Sequence, residues 1–107
     1  MHPASPELFK ALADPTRRSI FECLVRDGEH TVHALTDRAG VSQPMVSKHL
    51  RLLKHAGLVR GRREGRETHY GARPRALAPL IDWVSEYGAF WRERLDRLET
   101  LLNRMDQ

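Results

Sequence analysis

Between Leu77 and Met105 the residues Leu77, Ile81, Val84, Gly88, Trp91, Leu95, Leu98, Leu102 and Met105 step along the chain by four and three in strict alternation. Steps of this kind return each position to one line of a helix, so the stretch is committed to a single long helix, predicted over 76–105, with an a/d seam. Pro79 is compatible with that helix only in or near its first turn. A seam of this length is stable only when another helix covers it. A chain of 107 residues has room for one modest core, so the expected cover is a second copy of the chain. A second stripe, Leu80, Trp83, Tyr87 and Phe90, widens the apolar face over the first half of the helix. That half is expected to pack on its own domain and on the second copy together.

The upstream part is punctuated by helix starts and stops. Ser5-Pro6-Glu7 supplies a capping hydroxyl, a proline for the first helical position and an acid at the positive end of the helix dipole. Leu8, Phe9 and Leu12 follow. Asp14-Pro15 repeats the start signal, and Ile20, Phe21, Leu24 and Val25 recur at helical spacing as far as Asp27-Gly28. Thr31 is expected to cap a third helix, with Val32, Leu35 and Ala39 on one stripe and Gly40 at its stop. Ser42 is expected to cap a fourth, with Pro44 in the first turn and Val46, Leu50 and Leu53 on the buried side. Two short helices across a tight glycine-containing turn make a helix-turn-helix, placed at about 31–56. After Gly57 the period changes, and two short arms flanking Gly65 predict a β-hairpin, or wing, over about 58–71. Its first arm is rich in arginine and broken by Gly61, which is poor strand sequence.

The net charge is +4 with histidine neutral, and the excess is concentrated. Residues 47–75 hold nine Lys and Arg against Glu64 and Glu67, while the segments on either side are weakly acidic. A polarised basic segment points to a polyanionic partner, nucleic acid or an anionic surface. Cys23 is the single cysteine, which excludes an intrachain disulfide and fits a reducing cytoplasm. Its place in the apolar period of the second helix predicts a buried small side chain. No apolar run approaches membrane-spanning length, and 1–6 lacks the charged-then-apolar pattern of a signal peptide, so a cytoplasmic chain without membrane contact is expected. The sequence also lacks a phosphate-cradling glycine loop, a nucleophile elbow and a His-Glu-x-x-His pair, and its carboxylates are scattered; no enzyme is expected.

The stretch VSQPMVSKHLRLLKHAGLV, from Val41 to Val59, resembles the recognition-helix signature of the ArsR family of winged helix-turn-helix repressors. Ala13-Asp14-Pro15-Thr16-Arg17-Arg18 is similar to the same family, and the resemblance extends over about 7–102. It implies an α+β, mostly α, fold: a single winged helix-turn-helix domain over 1–107 with a long C-terminal dimerisation helix. It further implies a homodimeric transcriptional repressor of double-stranded DNA with a palindromic operator, released by a signal that the sequence does not identify.

A helix of this kind fits the major groove, where Gln43 can read an adenine edge and Lys48 or Arg51 can read guanine or hold phosphate. Ser42 and Ser47, with Pro44 and Met45 beside them and the free N–H groups of the first turn, suit phosphate oxygens. Arg60, Arg62, Arg63 and Arg66 on the hairpin are expected to reach the adjacent backbone or minor groove. Leu77, Ile81, Val84, Gly88, Trp91, Leu95, Leu98 and Leu102 form the expected dimer interface. Trp83, Tyr87, Phe90 and Trp91 are expected to be its core or, on the sharper reading, to line a pocket for an apolar small-molecule effector.

The family's metal sites are not matched. Its paired cysteines fall on Thr31 and His33, with Thr36 at a third position; the Asp-x-His of its second site falls on Asp82 and Val84, and no histidine follows His69. His30 and His33 lack a thiol or an assured carboxylate partner, so neither metal nor cofactor is expected. Cys23 alone cannot form the cysteine pair through which some relatives sense oxidants. His49 and His55, flanking the apolar stripe of the fourth helix, are expected to be structural or phosphate-adjacent. The alternative to an operator-binding regulator is an RNA-binding or protein-interaction adaptor on the same fold. Against RNA stands the basic segment itself, whose only aromatic residue is Tyr70.

Overall fold

The side chains of Ser5, Asp14, Thr31 and Ser42 each accept a backbone N–H three residues on, from Leu8, Arg17, Ala34 and Met45, and each opens a helix. In the computed structural model, which describes residues 4–106, these are α1 (Pro6–Ala13), α2 (Pro15–Asp27), α3 (Val32–Ala39) and α4 (Gln43–His55). Each cap satisfies a donor that the first turn of a helix leaves without a partner. At the far end of α1, Arg17 donates to the carbonyls of Ala11 (3.2 Å) and Lys10 (3.1 Å), and Arg18 to that of Leu12 (3.1 Å). Basic side chains at the start of α2 thus complete the acceptors left open at the end of α1, and the corner between the helices is fixed.

Three strands, β1 (His30–Thr31), β2 (Val59–Glu64) and β3 (Glu67–Ala72), form an antiparallel sheet in the order β1-β3-β2. The hairpin closes through Gly65 and Arg66, with Glu64 paired to Glu67. Gly65 has φ +63°, the left-handed first position that a two-residue II′ turn requires. The arginine-rich arm pairs along its whole length in spite of its low propensity, because Val59 at its root is sealed in the core and β3 offers a partner at every residue. The short β1, which pairs His30 with Tyr70 and Thr31 with His69, adds a third strand that the sequence reading did not anticipate.

Two compact units are present, Ala4–Leu77 and the segment from Ala78 onward. The core of the first is built from Leu8 and Ala11 of α1, Ile20, Phe21 and Leu24 of α2, Leu35 of α3, Val46, Leu50 and Leu53 of α4, then Leu58 and Val59. His49 is buried beside the α4 stripe, and its Nδ1 has no hydrogen-bond partner among the described residues. Phe9 and Val25, read with the apolar stripes of their helices, are exposed; each lies about 100° around its helix from the buried Leu8 or Leu24.

The second unit is α5 (Ala78–Met105). It starts two residues later than expected, and Leu77, assigned to the seam, lies in the turn before it. The cause is Pro79: a start at Ala78 keeps the proline among the first-turn positions that need no N–H, whereas a start at 76 would require it to donate. Within α5, Ile81, Val84, Trp91, Leu95, Leu98, Leu102 and Met105 are each at least half exposed.

Candidate nucleic-acid interface

Packing one side of α4 leaves the other to solvent. Pro44, Lys48, Arg51 and His55 fall on one line opposite the buried stripe and are all exposed. Ser42, Gln43 and Met45 are exposed around the N-terminal end, and Ser47 is half-buried on the flank. Ser42 Oγ accepts the Met45 N–H at 3.4 Å, which leaves its own O–H free to donate. Among the described residues no side-chain hydrogen bond or ion pair engages Gln43, Lys48 or Arg51. His55, like Lys48 and Arg51, lies on the outer line, whereas His49 is part of the core.

The hairpin sorts its arginines by strand register. Directly paired residues share a face of the sheet, so Arg60 and Arg62 lie on one face with His69 and Gly71, while Arg63 lies on the other with Thr68 and Tyr70. Arg66 is in the turn. Among the described residues Arg60, Arg63 and Arg66 form no ion pair, and all three are exposed. Arg62 differs. Its Nε and Nη2 donate to the Glu29 carboxylate at 3.3 and 2.9 Å, and its Nη1 donates to Glu64 at 2.9 Å. The hydrogen bond from Arg62 holds the Glu29 carboxyl below the usual carboxylate range, and the two carboxylates raise the Arg62 guanidinium in turn. Glu29 is the residue of this site that sequence reasoning missed; it stands 33 positions from Arg62.

A family described as "Helix-turn-helix domain" matches residues 12–62. The chain is 45% identical over 86 residues to the transcriptional repressor SmtB of Mycobacterium tuberculosis, a match covering 79% of the chain and 63% of that repressor. It thus spans less than two thirds of that relative. It is 33% identical over 99 residues to the arsenical resistance operon repressor of Escherichia coli, covering 92% of the chain and 82% of the relative. Among solved structures, the homodimeric winged helix-turn-helix DNA-binding domain of a possible ArsR-family regulator from Mycobacterium bovis superposes with a TM-score of 0.63 at 32% identity, covering 78% of this chain and 76% of that one. The chain belongs to the ArsR family of winged helix-turn-helix transcriptional regulators.

As an ArsR-family chain it carries other chemistry at the positions the resemblance assigns to metal. Thr31 is the α3 cap, and Thr36 Oγ1 donates to the Val32 carbonyl at 2.8 Å. His33 lies 3.7 Å from Asp37. His30 does not converge on it: Nδ1 is 2.8 Å from the Gly28 carbonyl oxygen and Nε2 is 3.0 Å from Arg38 Nη1. Among the described residues no three His, Cys, Asp or Glu are grouped to hold a metal ion. Cys23 departs from its expected burial. It is half-exposed, with Arg38 Nη1 at 3.3 Å from its sulfur, and it lines a cavity of about 260 Å³ between α2 and α3. The salt bridge of Arg38 with Asp27, at 3.0 Å, keeps a polar group over the thiol where an apolar neighbour was expected.

On α5, Trp83, Val84, Tyr87, Gly88 and Trp91 line a concavity of about 310 Å³. Of the four aromatics named for an effector pocket, Trp83, Tyr87 and Trp91 meet there, with the Trp83 and Tyr87 rings 5.3 Å apart. Phe90 does not. It meets Trp91 edge-on at 5.7 Å and carries the Arg94 guanidinium over its ring at 4.3 Å. No helix of the described residues is long and apolar enough to cross a membrane.

Proposed function

We propose that this chain is a sequence-specific double-stranded DNA-binding regulator acting in the cytoplasm as a homodimeric repressor, without catalysis of its own. The carrying observation is the division of α4: Val46, His49, Leu50 and Leu53 are sealed inside, and the outer side presents Gln43, Lys48 and Arg51 with no side-chain partner among the described residues. Polar side chains held on a rigid helix and left unsatisfied suit base edges and phosphates of a major groove. Ser42, Pro44, Met45 and Ser47 flank the entry of that helix, and Arg60, Arg63 and Arg66 extend the cationic surface to the adjacent backbone.

The seam from Ile81 to Leu102 is the proposed dimer interface, with Trp91 at its middle position and Gly88 one step before it. A two-fold dimer offers two copies of α4 to one duplex, so the operator is an imperfect palindrome with half-site centres about 10 bp apart or a multiple of that. The concavity around Gly88 is the proposed seat for an apolar effector. Selection from a random duplex library at about 0.15 M salt, followed by footprinting upstream of the chain's own coding region, tests the reading. Enrichment of a palindrome bound at least about 1,000-fold more tightly than random duplex is expected. Equal affinity for selected and random duplexes would overturn it in favour of an adaptor.

A further inference from the structure

Arg62 is the most fully engaged arginine of the basic segment. Three of its N–H groups point at two carboxylates, Glu29 before β1 and Glu64 two residues along its own strand. The group is one positive charge against two negative, so it offers a DNA phosphate no net attraction. Three of the five N–H donors of the guanidinium are already committed to carboxylates by charge-assisted hydrogen bonds, so a phosphate there would have to compete with two acids for the remaining donors. The approach of Glu29 is also built into the sheet. Gly71 is buried on β3, and a Cβ at that position would stand 3.1 Å from Glu29 Cγ. The absence of a side chain at 71 lets Glu29 lie across β3 and reach Arg62 on β2. Glu64 and Glu67 are directly opposed across the hairpin, an unfavourable like-charge pair, and Arg62 offsets the charge of the first of them. His69, paired with Arg62 across the strands, lies 3.8 Å from Glu64 on the same face.

We infer that Glu29 and Glu64 hold Arg62 as a clamp that fixes the hairpin to the segment between α2 and β1, so that the wing grips DNA through Arg60, Arg63 and Arg66 and not through Arg62. Glu29 and Arg62 are positioning residues in this arrangement. The inference rests on the DNA-binding reading above for the grip, and on geometry alone for the clamp.

The test has two arms. In the first, without DNA, amide hydrogen exchange is followed over β2 and β3. Arg62→Ala, Arg62→Lys and Glu29→Gln should each speed exchange in the hairpin by about two- to fivefold, the factor that a modest exposed ion pair carries, because a lysine cannot reproduce the three-donor fork. In the second, affinity for a random duplex of about 30 base pairs is measured against salt. Arg63→Ala should lower the slope of log affinity against log salt by about 1 per subunit, the signature of one lost phosphate contact. Arg62→Ala and Arg62→Lys should leave the slope as in the wild type. A slope lowered by Arg62→Ala as much as by Arg63→Ala, or hairpin exchange unmoved by all three clamp variants, would overturn the inference. If the unaltered chain bound no duplex at all, the regulator reading would fail, and the exchange arm would still decide the clamp.

Discussion

Asp14 Oδ2 accepts the backbone N–H of Arg17 at 2.9 Å, while the Arg17 guanidinium turns back onto the carbonyls of Lys10 and Ala11. One residue pair therefore opens α2 and closes α1. The hydrogen bond from the Arg17 backbone holds the Asp14 carboxyl below its ordinary value, with the Arg17 charge acting the same way.

Asp14→Ala should lower the melting temperature at pH 7 by about 4 to 8 °C, the effect of one lost helix cap in a domain of this size. Asp14→Asn, which can still cap, should stay close to the unaltered chain. Because the folded carboxyl titrates below the unfolded one, its contribution is complete above about pH 4 and is lost as pH falls through the lower folded value. Melting curves between pH 7 and about 2 should therefore show a shallower acid limb for Asp14→Asn. An Asp14→Ala chain as stable as the original would remove the cap from the account.

What the sequence made legible is what short-range chemistry encodes. Ser5, Asp14, Thr31 and Ser42 each read as a cap because the cap needs only a side chain and an N–H three residues away. Val46, Leu50 and Leu53 read as an inner face because a helix returns them to one line. The unread features depend on tertiary neighbours. β1 is two residues long, too short for any period, and exists because Tyr70 and His69 of β3 pair with it. Glu29 belongs to no local pattern, and its role depends on the close approach to Gly71 of β3 and the reach to Arg62 of β2. Cys23 fell on an apolar period but meets Arg38 from another helix, and His49 adjoined the apolar stripe closely enough to be drawn into the core.

Leu95 and Leu98 are more than half exposed within a single chain, which sharpens what a charge at either position should do. Leu95→Asp or Leu98→Asp places a carboxylate that is well solvated in a lone chain and costly in a closed seam. The expected product is a monomer in which the Ala4–Leu77 core still melts cooperatively. Sedimentation equilibrium together with near-ultraviolet dichroism checks both halves of the statement. A folded dimer from either variant would remove the α5 seam from the proposed interface.

Gln43 and Lys48 separate reading of sequence from holding of charge, because both are exposed on α4 without side-chain partners among the described residues, while Arg60, Arg63 and Arg66 sit on a hairpin. A bidentate amide or an ammonium at a base edge discriminates by about 1 to 3 kcal/mol. Gln43→Ala or Lys48→Ala should accordingly weaken binding to the selected operator by about 5- to 150-fold and leave random duplex within about twofold, relaxing selection at one position in each half-site. Arg63→Ala should weaken operator and random duplex alike and keep the preference between them. Parallel titrations of the two duplexes at two salt concentrations distinguish these outcomes. If Gln43→Ala and Lys48→Ala lost affinity equally for both duplexes, α4 would be a phosphate-binding element only. The sequence preference would then have to come from DNA shape sensed through the wing and the first turn of α4.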